Sequence, residues 1–195
     1  ILLTVHPDRL GETVRSRCMR VNFGGEADVQ LEASDAAWLK SFVGMSAETG
    51  EGLMGRYRLL GKLMEHLAAK RDTIEETQEA ASALNRYADI EPTLREKLKE
   101  ELKASIEAEY RRQRGQFLTG LQWWLRDVWL AALRQGRELL HFQDWADTSE
   151  TVGQRLSPGQ ALENLQSIEA TQRLLETTNV QEALALEVGL LKLKL

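Results

Sequence analysis

The sequence predicts a mainly α-helical protein, and three observations lead to this fold class. Helix-favouring Leu, Ala, Glu, Arg and Gln dominate, whereas the 195 residues include only 14 glycines and 3 prolines. Apolar residues recur every three or four positions over long stretches, which places them on one face of a helix. A capping-box pattern, Ser157-Pro158-Gly159-Gln160, marks the start of a helix in the last quarter of the chain.

The first 25 residues have the pattern of a strand, a short helix and a second extended segment. Residues 1–5 are an apolar, β-favouring run that Pro7 ends. Asp8 can cap the short helix that follows and ends near residues 15–18, after which residues 19–23 are predicted to be extended again. Because a buried strand needs neighbours, we expect the rest of the sheet to be supplied by chain upstream of this segment.

The next segment, residues 26–52, has a weak pattern that predicts a linker with one short helix around Trp38. A longer amphipathic helix is predicted from Leu53, and a separate helix over residues 74–87. The apolar stripe of the helix that starts at Leu53 consists of Leu53, Tyr57, Leu60, Leu63, Met64 and Leu67.

A third helix is predicted to begin at Pro92, where a first-turn proline costs no hydrogen bond. It would run for about 45 residues, or ~65 Å at ~1.5 Å per residue, so a bend is expected near Gly115 or Gly120. Its predicted packing face is Leu94, Leu98, Leu102, Ile106, Tyr110, Phe117, Leu121, Trp124, Leu125, Val128 and Ala132.

Two antiparallel helices are predicted to close the chain. The first starts at Pro158 with Ser157 as its cap, and the second follows Asn179, which repeats the capping-box spacing with Glu182. Their predicted packing faces carry Leu162, Leu165, Ile168, Leu175, Ala183, Leu184, Leu190 and Leu191.

Charge and the rarer residue types exclude several classes of function. The formal net charge is -5, whereas nonspecific nucleic-acid binding relies on lysine and arginine, so direct DNA binding is not expected. One cysteine cannot form an internal disulfide and three scattered histidines lack metal-ligand spacing, so we expect no metal site and a cytoplasmic location. No apolar run approaches the ~18 residues of a membrane span, which predicts a soluble protein with no membrane partner.

The N-terminal stretch carries a specific motif, in which Thr4 lies in the predicted strand and Ser16-Arg17-Cys18 ends the predicted short helix. This stretch resembles the end of the AAA+ core in clamp-loader subunits of bacterial DNA polymerase III, of the delta-prime type. In that family the strand ends in a threonine or asparagine called sensor 1, and a short helix ends in Ser-Arg-Cys. The resemblance implies a remnant of an AAA+ α/β core, with strand, helix and strand in that order.

The C-terminal third is similar to the collar domain of the same family, a helical domain through which five subunits form a ring. The matching stretches are Trp124-Leu-Arg-Asp127, Leu156-Ser-Pro and residues 179–191. The resemblance divides the chain into the end of the AAA+ core (1–25), a shortened lid or linker (26–52) and a helical collar used for oligomerisation (53–195). The family's three-helix lid has about twice the length available here, which puts any nucleotide contact from the lid in doubt.

The resemblance implies a subunit with no complete active site of its own. Arg17 would act in trans as an arginine finger on ATP bound to a neighbouring subunit, and this chain would bind no cofactor itself. Partners would be the gamma/tau and delta subunits through the collar, and the sliding clamp and primer-template DNA indirectly. A planar guanidinium suits this role because it reaches two phosphate oxygens and stays charged, whereas lysine would lose the second contact.

Other readings of the same residues stay open. The chain could belong to a gamma/tau-type motor subunit whose own phosphate-binding loop lies upstream, or to a helical scaffold unrelated to replication. Thr4 is equally well explained as a β-branched strand residue, and Arg15 as a surface charge. Cys18 is predicted to be a small buried hydrophobe. The tryptophans are assigned to packing, and His6, His66 and His141 to ordinary polar positions.

Overall fold

The computed structural model describes residues 4, 10–15, 18, 31–48, 52–82, 84 and 91–195 of the chain. Within these residues the protein is mainly helical and contains no β-strand, which confirms the helical fold class. The strand predicted over residues 1–5 and the extended segment at 19–23 lie outside the described residues, apart from Thr4. The helices are α1 (Glu12–Arg15), α2 (Ala33–Glu48), α3 (Leu53–Ala81), α4 (Pro92–Ala132), α5 (Ala146–Gly153), α6 (Pro158–Thr177) and α7 (Glu182–Leu191), with 3-10 turns at Arg137–Leu139 and Gln143–Trp145.

The second half of α4 forms the centre of the core, where it packs against α6, α5, α3 and α2. Phe117, Leu121 and Trp124 on this half are at most 1% exposed. The first half of α4 lies outside this core, and Leu94 is 49% exposed. The predicted packing face is therefore wrong for its first turns, because a periodic stripe shows which side of a helix is apolar but not how far its neighbours extend.

Both long helices are continuous. α3 runs from Leu53 to Ala81 as one helix, although two were predicted over this stretch. α4 continues through Gly115 and Gly120 without interruption over 41 residues. Gly120 serves close packing, since a Cβ at this position would lie 2.6 Å from Cδ2 of Leu31.

Residues predicted as linker contribute to the same core as the helices after Leu53. α2 has 16 residues, and its side chains Leu39, Phe42 and Val43 are at most 2% exposed. They belong to one apolar cluster with residues of α3, α4, α5, α6 and α7. α2 is thus an integral helix of the bundle and not a bridging segment.

The two closing helices are antiparallel, as predicted. Ser167 Oγ on α6 donates to the carbonyl of Gly189 on α7, while Asn164, one turn earlier on α6, exchanges two hydrogen bonds with the backbone of Lys194. Residue numbers therefore rise along α6 as they fall along α7. Leu184 was predicted on the packed face but is 51% exposed.

The start of α6 confirms the predicted capping box, whereas the start of α7 contradicts it. Ser157 Oγ accepts from the Gln160 backbone N–H at 3.2 Å, and the Gln160 side chain accepts from the Ser157 N–H at 2.9 Å. α7 begins at Glu182 after Gln181, whose side chain makes no capping hydrogen bond. Asn179 is therefore not the cap, because the Glu182 side chain is bound to α4 instead.

Candidate functional site

The predicted arginine site lies at the limit of the described structure. α1 ends at Arg15, and Ser16 and Arg17 lie outside the described residues, so the role of Arg17 stays a prediction. Thr4 is exposed, and Cys18 is exposed as well. The prediction of Cys18 as a buried hydrophobe is wrong, because no apolar element covers it in the described part of the molecule.

A cleft of about 420 Å³ lies where the start of α2 meets the middle of α3 and α4. Nine of the eleven residues that line it have polar or ionisable side chains. We call it the charged cleft, and it is lined by Glu32, Ser34, His66, Ala69, Lys70, Thr73, Ile74, Thr77, Gln78, Glu109 and Gln113.

Lys70 and Asp35 are the most deeply buried charges at the charged cleft, with side chains 5% and 3% exposed. The Lys70 ammonium lies 3.1 Å from Asp35 Oδ1, donates to Glu32 Oε2 at 2.9 Å, and donates to Gln113 Oε1 at 3.2 Å. His66 Nε2 lies 2.8 Å from the same Asp35 oxygen. One ammonium thereby joins α2, α3 and α4.

Electrostatics favour the ionised form of Asp35. Burial raises the pKa of the Asp35 carboxyl, but hydrogen bonds from His66 and Lys70 together outweigh burial and leave the pKa below its ordinary value. The Lys70 ammonium has three acceptors around its three N–H bonds, so none is left to activate a substrate. The geometry supports a role in holding the three helices together.

A second buried cluster ties α4 to α7. The Tyr110 hydroxyl donates to Glu182 Oε1 at 2.5 Å, and Arg114 forms an ion pair with the other oxygen of Glu182. The Arg71 guanidinium lies 4.8 Å from the centre of the Tyr110 ring. Burial and the Glu182 carboxylate raise the pKa of the Tyr110 hydroxyl well above its usual range, so it acts as a hydrogen-bond donor.

Asp127, in the stretch that resembles the collar, holds the turn that follows α4. Its side chain is completely buried and accepts from the backbone N–H groups of His141 at 2.9 Å and Phe142 at 2.8 Å. Burial raises the pKa of this carboxyl, against the effect of those two hydrogen bonds. Asp127 is therefore a structural residue that fixes the chain between α4 and α5.

The tryptophans pack as predicted, but one histidine does not have the ordinary position expected of it. Trp124 is fully buried and meets Phe42 edge-on at 5.7 Å. His66 stacks on Trp38 at 5.4 Å while it binds Asp35. The prediction for His66 is wrong because its ring belongs to the charged cleft.

Several exposed apolar side chains lie on the two neighbouring helices α3 and α7. Of the large apolar residues that are exposed in the described part of the chain, half lie on α3 and α7. The Tyr57 hydroxyl on α3 donates to Glu187 Oε1 on α7 at 3.4 Å, which places the two helices side by side at this surface. We call this surface the α3/α7 face, and it consists of Leu53, Met54, Tyr57, Leu184 and Val188.

The described residues show neither a metal-binding cluster nor a membrane-spanning helix. No group of three or more His, Cys, Asp or Glu side chains among them is arranged to hold a metal ion. No helix among them combines the length and the apolar character needed to cross a membrane.

Comparison with known proteins returns no family model, no curated protein and no solved structure that matches the chain.

Sequence reasoning missed the buried charges of the charged cleft, although a signal was present. Asp35 stands one turn before Leu39 on the apolar face of α2, and Lys70 lies between Leu67 and Ile74 on the apolar face of α3. A charged residue on the apolar face of a helix is buried together with its apolar neighbours. Such a buried charge needs a partner of opposite charge. The pairing itself depends on how α2 and α3 pack.

Proposed function

We propose that the chain is a delta-prime-like subunit of a bacterial DNA polymerase III clamp loader. The helical bundle acts as the collar that assembles the subunits, and Arg17 acts on ATP bound by a neighbouring subunit. The observation that carries the proposal is Ser16-Arg17-Cys18, at the end of the short helix α1 and followed by a helical bundle. Of these three residues, the structure describes Cys18, which is exposed.

In this role, Arg17 stabilises negative charge on the ATP of the neighbouring subunit. When water attacks the γ-phosphorus on the neighbouring subunit, the bond to the β–γ bridging oxygen breaks and ADP leaves. Negative charge spreads over the phosphoryl oxygens during this step, and a guanidinium at the site stabilises it with two charge-assisted hydrogen bonds. The chain itself then needs no complete nucleotide site.

The bundle is suited to the assembly role. α2 to α7 share one apolar core, and two networks of charged groups fix α2, α3, α4 and α7 to one another. A rigid bundle with an exposed apolar face can hold neighbouring subunits at fixed positions. The cytoplasmic location and the indirect contact with clamp and DNA belong to the same proposal.

The test is substitution of Arg17 in a complex reconstituted with the gamma/tau and delta subunits of the same organism. Arg17→Ala is expected to lower clamp- and DNA-stimulated ATP hydrolysis and clamp loading at least tenfold, since arginine fingers contribute ~10³ or more to turnover. Arg17→Lys should recover little of the loss, because an ammonium cannot make the bidentate contact.

Arg15→Ala provides the matched control, since it removes the same side chain two residues away and is expected to retain wild-type activity. Size-exclusion chromatography should show that all three variants assemble. Wild-type ATP hydrolysis in the Arg17→Ala complex would contradict the proposed role.

A further inference from the structure

We infer that the α3/α7 face is the docking surface for one amphipathic helix of a neighbouring collar subunit, apolar along one side and acidic at its margins. The inference rests on the proposed function and specifies which surface of the bundle takes part in assembly and what kind of partner segment fits it.

The α3/α7 face exposes large apolar side chains to solvent. Met54 is 76% exposed and Leu53 is 60% exposed, while Leu184 and Val188, one turn apart on α7, are about half exposed at 51% and 48%. On the other side of the same helices, Leu63 and Leu186 are fully buried in the core. α3 and α7 are therefore apolar on two sides, and only one side has a partner within the described chain.

α3 and α7 pack side by side at this face, so a third helix could lie across both. Arg56 Nη1 donates to the carbonyl of Leu191 at 2.9 Å, and Tyr57 binds Glu187 one turn earlier on α7. Further along α3, Arg71 lies over the ring of Tyr110, whose hydroxyl binds Glu182 at the start of α7. Residue numbers therefore rise along α3 as they fall along α7, and the two helices are antiparallel. Gly61, one turn after Tyr57, is exposed with no atom within 4 Å of a Cβ built on it, which leaves room for close approach.

The charged side chains around the α3/α7 face indicate which kind of partner segment fits it. Arg58 and Lys192 lie one turn beyond Met54 and Val188, are exposed, and form no ion pair within the described residues. Glu187, between the two helices, is already bound to Tyr57, and Glu65, one turn beyond Gly61, is paired with Lys62. In a chain of net charge -5 this face therefore has a basic margin. Acidic residues flanking an apolar helix complement it.

The same margin disfavours a second copy of this chain as the occupant. A twofold-symmetric dimer through this face would bring the same patch from two copies together. Arg58 and Lys192 of each copy would then approach the like charges of the other. A partner with acidic flanks meets no such repulsion.

The test measures binding of the full chain to the purified gamma/tau-type and delta-type subunits of the same organism by isothermal titration calorimetry. The double variant Met54→Glu/Val188→Glu is expected to bind its partner at least tenfold more weakly. Leu139→Glu is the matched control, because Leu139 is also 49% exposed but lies outside the face. Arg58→Glu/Lys192→Glu should weaken binding several-fold and reduce its dependence on salt. Circular dichroism checks that each variant is folded.

The outcomes separate this inference from the proposed function. If the wild-type chain binds a loader subunit and both face variants bind equally well, the face assignment is overturned and the proposed function stands. Absence of binding to either loader subunit contradicts the proposed function, and this inference falls with it. A homodimer in sedimentation equilibrium that Met54→Glu/Val188→Glu abolishes would identify a second copy as the occupant, against the inference.

Discussion

Replacement of Lys70 by methionine tests whether the charged cleft holds the bundle together. The substitution keeps the apolar stem but removes the ammonium from three acceptors: Glu32, Asp35 and Gln113. The Glu32 side chain is 50% exposed, so its pair contributes only ~0–1 kcal/mol. The loss is therefore expected to come mainly from Asp35.

The magnitude follows from the burial of Asp35. Removing one member of a buried ion pair costs ~3–5 kcal/mol, because the remaining charge is left without compensation. His66 remains 2.8 Å from Asp35 and offsets part of that cost. We therefore expect Lys70→Met to lower the free energy of unfolding by ~2–3 kcal/mol.

The assay is urea unfolding at pH 7, followed by far-ultraviolet circular dichroism. Lys99→Met is the control, since Lys99 is 55% exposed in a surface pair with Glu96, and its effect should stay within ~0.5 kcal/mol. The double variant Lys70→Met/Asp35→Leu should regain most of the stability, because it removes both buried charges. A loss below ~0.5 kcal/mol in Lys70→Met would show that the Lys70–Asp35 pair does not hold the bundle together.

The pH dependence gives an independent check on Asp35. Its pKa is lowered in the folded protein, so the folded state binds this proton more weakly than the unfolded state does. The stability that the carboxylate contributes is complete above the unfolded value of ~3.9 and is lost as the pH falls through the folded value. The stability difference between wild type and Asp35→Asn should therefore be constant near neutral pH and shrink below about pH 4.

Two further predictions concern backbone positions. Gly189→Ala should lower the free energy of unfolding by ~1–3 kcal/mol in the same urea assay, because the new Cβ would lie 2.2 Å from Thr171 Oγ1. Gly44→Ala is the control and should be neutral or stabilising, because no atom lies within 4 Å of a Cβ at that position. Equal effects at the two glycines would contradict the packing of α7 on α6. Arg134→Gly should raise the midpoint of thermal unfolding. Arg134 has φ 59° just after the end of α4, and glycine adopts this backbone conformation at a free-energy cost that is lower by ~0.5–1 kcal/mol. A lower midpoint would show that the Arg134 side chain matters more than its backbone strain.

Local signals in the sequence predicted the mainly helical class and the start of α6, but not the single long α3 or the short helix α5. The capping box at Ser157 is formed within four residues, so no distant contact is needed to recognise it. The same spacing at Asn179 and Glu182 failed because Glu182 is recruited by Tyr110 and Arg114 on α4. A tertiary contact thus overrode a local pattern.

The local sequence pattern could not predict features that depend on how the helices pack together. The spacing of apolar residues shows that α7 has an apolar side. It cannot show that Leu184 is half exposed whereas Leu186 is fully buried. Likewise, Asp35 and Lys70 stand 35 positions apart in the chain, and only the packing of α2 on α3 brings them within 3.1 Å. The predicted arginine site was carried by resemblance alone, so its position still has to be measured.

The most direct measurement is a structure of the reconstituted loader with a γ-phosphate mimic, such as ADP with beryllium fluoride, bound to the subunit next to this chain. We expect the guanidinium nitrogens of Arg17 to lie ~2.7–2.9 Å from the fluoride ligands of the mimic, the distance of a charge-assisted hydrogen bond. An Arg17 side chain turned into its own subunit, with no contact to the neighbouring nucleotide, would contradict this expectation.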